Sequence, residues 1–456
     1  MRERLVKSKS NLLFAFSMFW FAVRVIPKPS RIMYPCQRTT LTLIFVRVGI
    51  GISAVCITLT EFAQKRVVKA LIILLLVAEI AFPVIVVGYY SVRYSIISQG
   101  RIVYNVDLSH EVVRVHSADV TSWDFNTGYY WEYVDQSVVD LMVEEGVKEL
   151  TSQSTSEFAW RFILSNYSQG DIVGIKINGN DFWNTRLGEI NTLPHVINSV
   201  VKGLKSIGVS ESDIWVIEPT AGSNRQFYQY YYDIINGLYP EVQLLDNDDT
   251  TFGSYSELRV SFPYTNDRYI TDQMYEIDHL ILIPVMKAIW PNCGVTGAIK
   301  MMQGNIQNQA GLHNYLTRTS ADNPNVLIYQ NPHIIGKVRL IIGDGLFGAW
   351  TGIHFGGGYG GTDVLVSPNH RDDVPNRWLT FGNGAPNVLF FGVDPVAIDS
   401  VMYDHLIRER NAQEQVPGQS MAVFHEPQLI AGAAAGIGVR DHGPPYTGIN
   451  YIEVDL

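Results

Sequence analysis

Two lysines each close an apolar, strand-like run: Lys176 in VGIKINGN (173–180) and Lys287 in IPVMKAIWPNCGVTGAIKMMQGN (283–305). The second stretch adds Lys300, in a segment punctuated by Gly and Thr. An ammonium leaving a buried strand is costly unless it meets an anion or a carboxylate. The three lysines are therefore candidates to hold a phosphate or carboxylate group, and the same residue types also serve as structural ion pairs or as snorkelling strand ends. Asn178 and Glu218 stand at the ends of neighbouring strand-like runs and join the candidate ligand contacts.

Carboxylates and histidines supply the rest of the candidate chemistry. Asp344 and Asp394 follow apolar runs, and with Glu218 and Asp399 they offer oxygen ligands to a hard cation such as Mg²⁺. Asp394 precedes Pro395, which suits a helix start equally well: the carboxylate accepts first-turn amides and proline occupies N1, so both readings stand. His313 and Asp344 are the candidates for proton transfer, His313 also for a metal; His195, after Pro194, is a candidate helix cap. The glycine cluster HFGGGYGG (354–361) would let amides approach an anion, but it is neither a Walker loop nor a GxGxxG helix start. No GxSxG, HExxH, CxxC pair or EF-hand loop is present. Carboxylates and lysines together suit phosphoryl or carboxyl chemistry, where electrostatics dominates the barrier.

The order of these pieces carries a resemblance. VGIKIN, the helix opened by TLPHVINSVVKGL, the strand ending in Glu218, DHLILIPVMK, TGAIKMMQGN with Leu312-His313, VRLIIGDG and GVDPVAIDSV follow one another from about 170 to about 410. In that order they resemble the uncharacterised family catalogued as domain of unknown function 362. The chain departs from the usual wording at Met301-Met302, where an asparagine and an apolar residue are common. The resemblance implies a fold and a site but no reaction. Some relatives carry ferredoxin-type cysteine clusters; this chain has 3 cysteines and no such cluster, so no iron–sulfur centre is expected.

Charge and hydropathy divide the chain. Residues 1–90 hold 12 Lys/Arg against 3 Asp/Glu (+9), and the remainder 22 against 41 (−19), which together give the net −10. The acidic part repels nucleic-acid backbones, so no nucleic-acid partner is expected. Residues 1–38 read as a basic, signal-like or marginally spanning segment, and 39–92 as two transmembrane helices. Of these, 70–90 is 21 residues long with Glu79 as its one charge, enough at about 1.5 Å per residue to cross a hydrocarbon layer of roughly 30 Å. Arg47, in the other span, is the candidate partner for Glu79, against a protonated Glu79 in a simple anchor. Lys65, Arg66 and Lys69 between the spans favour an extracytoplasmic soluble domain, while Lys28, Arg31 and Arg38 argue the reverse. Cys293 is alone in the soluble part and has no intrachain partner there for a disulfide.

From 93 to 456 strand-like and helical text alternate. RIVYNVDL, EVVRVHSADV, DIVGIKIN, DIWVIEP, DHLILIPVM, KVRLIIGDG and NVLFFGVD read as strands; YVDQSVVDLMVEEGVKEL and HVINSVVKGLKSIG read as helices. The expected fold is α/β: a mostly parallel, doubly wound sheet with room for a second lobe, preceded by the transmembrane hairpin. The Tyr-, Asn- and Asp-rich stretch 220–275 reads as an irregular insertion. In such sheets ligands sit at the carboxyl ends of the strands. The expected function is a membrane-anchored domain that binds a small anionic molecule, with or without a divalent metal and catalysis. The alternative is a membrane-tethered scaffold whose polar residues merely pair with one another.

Overall fold

The computed structural model describes residues 108, 110–179, 190–218, 227–246, 255–289, 293–350, 375–414 and 426–456. The chain divides into two units, Met1–Arg101 and Ile102–Leu456, and the described residues all belong to the second. The expected transmembrane hairpin, the strand RIVYNVDL up to residue 107 and the glycine cluster lie outside the described residues. Among the described residues no helix is long and apolar enough to cross a membrane.

Twelve strands are described: β1 Glu111–His116, β2 Val173–Ile177, β3 Ile214–Ile217, β4 Gln243–Leu245, β5 Tyr255–Phe262, β6 Thr265–Thr271, β7 His279–Ile283, β8 Val285–Ile289, β9 Gly294–Val295, β10 Val338–Ala349, β11 Val388–Gly392 and β12 Asn450–Asp455. The main sheet runs β12-β1-β11-β10-β7-β2-β3-β4, with β8 beside β10 and β9 beside β8. From β4 to β10 every neighbour pair is parallel. β11 is antiparallel to both β10 and β1, and β12 returns parallel to β1. The fold is thus mixed α/β with a mostly parallel sheet.

Side-chain alternation assigns each strand two faces. Val173, Ile175 and Ile177 of β2, Ile214 and Val216 of β3, Ile281 and Ile283 of β7 and Leu340 and Ile342 of β10 enter one apolar layer. Trp215, Ile217, Leu280, Leu282 and Ile341 enter the other. The helices Gln136–Thr151, Ser156–Ile163 and Pro194–Ser206 pack on the first face, and Pro324–Tyr329, Pro395–Glu414 and Pro427–Ala434 on the second. Each fully buried aliphatic side chain contributes roughly 1.5–3 kcal/mol, so both layers are needed to hold so apolar a sheet. Gln136–Thr151 shows why the local text becomes helix: Asp135 accepts the Ser137 and Val138 amides, buried Val139, Met142, Val143, Val147 and Leu150 recur at helical spacing, and Ser152 ends it with φ 53°.

The described residues of the stretch 220–275 are more regular than expected. They supply β4 to the main sheet and the antiparallel pair β5–β6, a two-stranded sheet of its own. The segments that leave the carboxyl ends of β2, β3, β4, β8 and β10, at 180–189, 219–226, 247–254, 290–292 and 351–374, lie outside the described residues.

Candidate functional site

Parallel pairing brings the ends of β2 and β3 together, with Lys176 opposite Ile217. There the Lys176 Nζ donates to Glu218 Oε2 at 2.8 Å and to the Ile177 carbonyl at 2.5 Å, and both charged side chains are buried. The Gly179 amide donates to the same Glu218 oxygen at 3.0 Å. Lys176 and Glu218 thus form a buried, hydrogen-bonded ion pair with no net charge, and the positive charge expected of Lys176 is already balanced by this chain.

Asn178 is next to this pair. Its amide donates to Thr192 Oγ1 at 2.9 Å, and its carbonyl accepts the Thr192 amide at 3.0 Å. Its side-chain Oδ1 is buried with no hydrogen-bond partner among the described residues. A buried, unsatisfied amide oxygen costs about 1–3 kcal/mol, so it marks a place for an added donor.

Thr192 belongs to a short segment, Ile190–Leu193, that ties several candidates together. The Lys287 Nζ donates to the Ile190 carbonyl at 3.2 Å, Thr192 Oγ1 donates to the Ile283 carbonyl at 2.7 Å, and the Leu193 amide donates to Asp344 Oδ2 at 2.8 Å. Asp344 lies within the long strand β10 rather than at its end, but its amide bonds the Pro284 carbonyl, level with the end of β7. Its Oδ1 accepts the Leu346 amide at 3.2 Å. Burial pushes the Asp344 carboxyl up to about 7 against the opposing effect of those two amides, so near neutrality it is poised to exchange a proton.

The sign of the resulting pH dependence is fixed. Between pH 3.8 and about 7 the unfolded chain has lost this proton and the folded chain keeps it. Stability therefore falls as pH rises through that window, by roughly 1.4 kcal/mol per unit for one group, and is level above it. Asp344→Asn is expected to flatten part of the slope when denaturation midpoints are measured from pH 4 to 8. An unchanged slope would show that Asp344 titrates normally. Asp399, also raised to about 7, supplies a parallel contribution that the variant leaves in place.

The other candidates are placed elsewhere. Lys300 is buried on the short helix Ala298–Met301, whose Ala298 and Ile299 amides are held by Asp399 at 2.6 and 3.1 Å. Burial pushes the nearby Cys293 thiol up to about 12, against the lowering effect of the Lys300 charge. His313 is half-buried on the turn Gln309–Tyr315. His195 does not cap its helix: Leu193 is the N-cap, no side chain caps it locally, and the Leu193 amide goes to Asp344 from β10. Desolvation lowers the His195 imidazole to about 4, leaving it neutral at pH 7.

Asp394 is a helix cap and lies away from the strand ends that bear Lys176 and Glu218. β11 is antiparallel, with Gly392 opposite Ile341, so its carboxyl end points back along β10. Asp394 Oδ1 accepts the Val396 and Ala397 amides at 2.8 and 2.9 Å, and Oδ2 accepts the Val439 amide at 2.8 Å and faces His110 Nδ1 at 3.2 Å. Both Asp344 and Asp394 thus spend their oxygens on amides. Among the described residues no group of three or more His, Cys, Asp or Glu is arranged to hold a metal ion. The donor set described does not fit Mg²⁺.

Sequence reasoning missed the tyrosines. Tyr130 and Tyr231 both hydrogen-bond the Asn191–Thr192 backbone, and the only signal was aromatic density in WDFNTGYYWEY and FYQYYY.

No curated protein matches this chain. Among solved structures it is similar to the lactate racemase apoprotein from Thermoanaerobacterium thermosaccharolyticum, at 17% identity and a TM-score of 0.27, over 45% of this chain and 48% of that one. The chain spans about half the length of that neighbour. Residues 173–404, just over half of the 456, match the model of the family described as domain of unknown function (DUF362), and the chain belongs to that family.

Proposed function

We propose that the unit Ile102–Leu456 binds a small phosphate- or carboxylate-bearing molecule where β2, β3 and β7 end, tethered to a bilayer by the apolar stretches before residue 92. Lys287, whose ammonium reaches the Ile190 carbonyl beside the ends of these strands, is the cation offered to that anion. Asn178 Oδ1 would accept a hydroxyl or amide of the ligand, and Asp344 would give or take a proton. The observation that carries the reading is the Ile190–Leu193 segment, which bonds the Lys287 ammonium at one end and the Asp344 carboxyl at the other. Preorganised donors of this kind favour charge development in a water-poor site.

The test uses the full-length chain with inorganic phosphate and with acetate as minimal probes, followed calorimetrically. Wild type is expected to bind at least one of them, and Lys287→Met to weaken it about tenfold or more, since a hydrogen bond to a charged group is worth roughly 1.5–3 kcal/mol. Equal binding by the variant, or no binding of either probe by wild type, would favour the second reading. In that reading the domain is a tethered scaffold, and it is favoured by one specific feature: Lys176 and Glu218 satisfy each other, as structural residues do.

A further inference from the structure

Two phenols grip the segment that carries the candidate site. The Asn191 amide donates to the Tyr130 hydroxyl at 3.1 Å, and the Tyr231 hydroxyl donates to the Thr192 carbonyl. Two adjacent residues of the segment, one through its N–H and the next through its C=O, are thus held by side chains from distant parts of the chain.

Packing holds both rings. Tyr130 meets Phe347 edge-on at 5.2 Å; Tyr231 packs on Tyr230 at 4.7 Å, Tyr230 stacks on Trp131 at 4.0 Å, and Trp131 stacks on Tyr129 at 4.5 Å. Burial raises both phenols above their ordinary range, so they stay protonated at neutral pH. The backbone groups they bond do not titrate, which makes the grip a lock rather than a proton conduit.

We infer that Tyr130 and Tyr231 are positioning residues for the candidate site, holding Ile190–Leu193 so that the Leu193 amide stays on Asp344 and the Ile190 carbonyl on Lys287. The inference rests on the preceding reading only in treating Asp344 and Lys287 as site residues. Tyr231→Phe in the full-length chain tests it, because it deletes the hydroxyl that donates to the Thr192 carbonyl and adds no atom. The Asp344 titration is followed by carboxyl ¹³C NMR, and the exchange of peptides spanning 190–193 by hydrogen–deuterium mass spectrometry. Loosening the Leu193 donor is expected to move the Asp344 midpoint up by about half a unit or more and to speed exchange about tenfold. Tyr129→Phe, in the same ring column but not one of the two rings bonded to the segment, is expected to change neither.

An Asp344 midpoint and exchange rate that stay put in Tyr231→Phe would overturn the inference. Should that variant fail to fold, Tyr130→Phe, which removes the acceptor of the Asn191 amide, is judged by the same two readouts. Phosphate and acetate titrations on the same samples separate the two ideas. A shifted Asp344 in a protein that ignores both probes keeps the lock and removes the ligand reading.

Discussion

Glu218→Ala is expected to cost the fold roughly 3–5 kcal/mol, the range for removing one partner of a buried ion pair and stranding the other. Lys176 would keep its bond to the Ile177 carbonyl but lose its countercharge, and the Gly179 amide would lose its acceptor. Denaturant unfolding measures the loss directly. The double variant Lys176→Met/Glu218→Leu is expected to recover most of it, since well-packed apolar residues often replace a buried pair at little cost. If Glu218→Ala unfolds with wild-type stability, the pair is not structural, and Lys176 returns as a cation for the ligand. The double variant also bears on function: phosphate or acetate binding that survives in it would place the charge for the anion on Lys287 alone.

The second large effect is expected at Gly297, just before the helix that carries Lys300. A Cβ there would stand 1.9 Å from Asp399 Oδ1 and 2.5 Å from its Oδ2. Asp399 is fully buried and holds the Ala298 and Ile299 amides, so Gly297→Ala must either push the carboxylate away or shift the helix. Overpacking costs about 1–3 kcal/mol, and losing hydrogen bonds to a buried carboxyl adds about 1.5–3 kcal/mol. A thermal melt is expected to show a loss of roughly 3–5 kcal/mol by these figures. A cost below about 1 kcal/mol would mean that the Asp399 contact relaxes freely.

Much of this architecture was legible in the residue order. Apolar runs bounded by turn residues read correctly as β2, β3, β7, β10 and β11, because a strand buried on both faces needs apolar residues at nearly every position. The helix from Gln136 announced itself through Asp135 and its spaced apolar residues. The order of motifs from VGIKIN to GVDPVAIDSV carried the family. Asp394 before Pro395 announced a helix cap, since capping is a local interaction within a few residues of chain.

Only the tertiary structure decided how those residues pair. Lys176 meets Glu218 across 42 positions, and Leu193 meets Asp344 across 151. No periodicity encodes such partners, because they depend on which strands lie side by side. The direction of β11 was equally invisible: a buried strand reads the same in a parallel or an antiparallel place, yet reversal carries Asp394 away from the site. The tyrosine grip on Asn191 and Thr192 was hidden for a third reason. Aromatic residues far apart in sequence look alike as core or surface, and only their packing shows that Tyr130 and Tyr231 converge on adjacent peptide groups. Composition and order thus determined the layers of this protein and its family, while the long-range contacts of the folded chain decided which charged and polar groups meet one another.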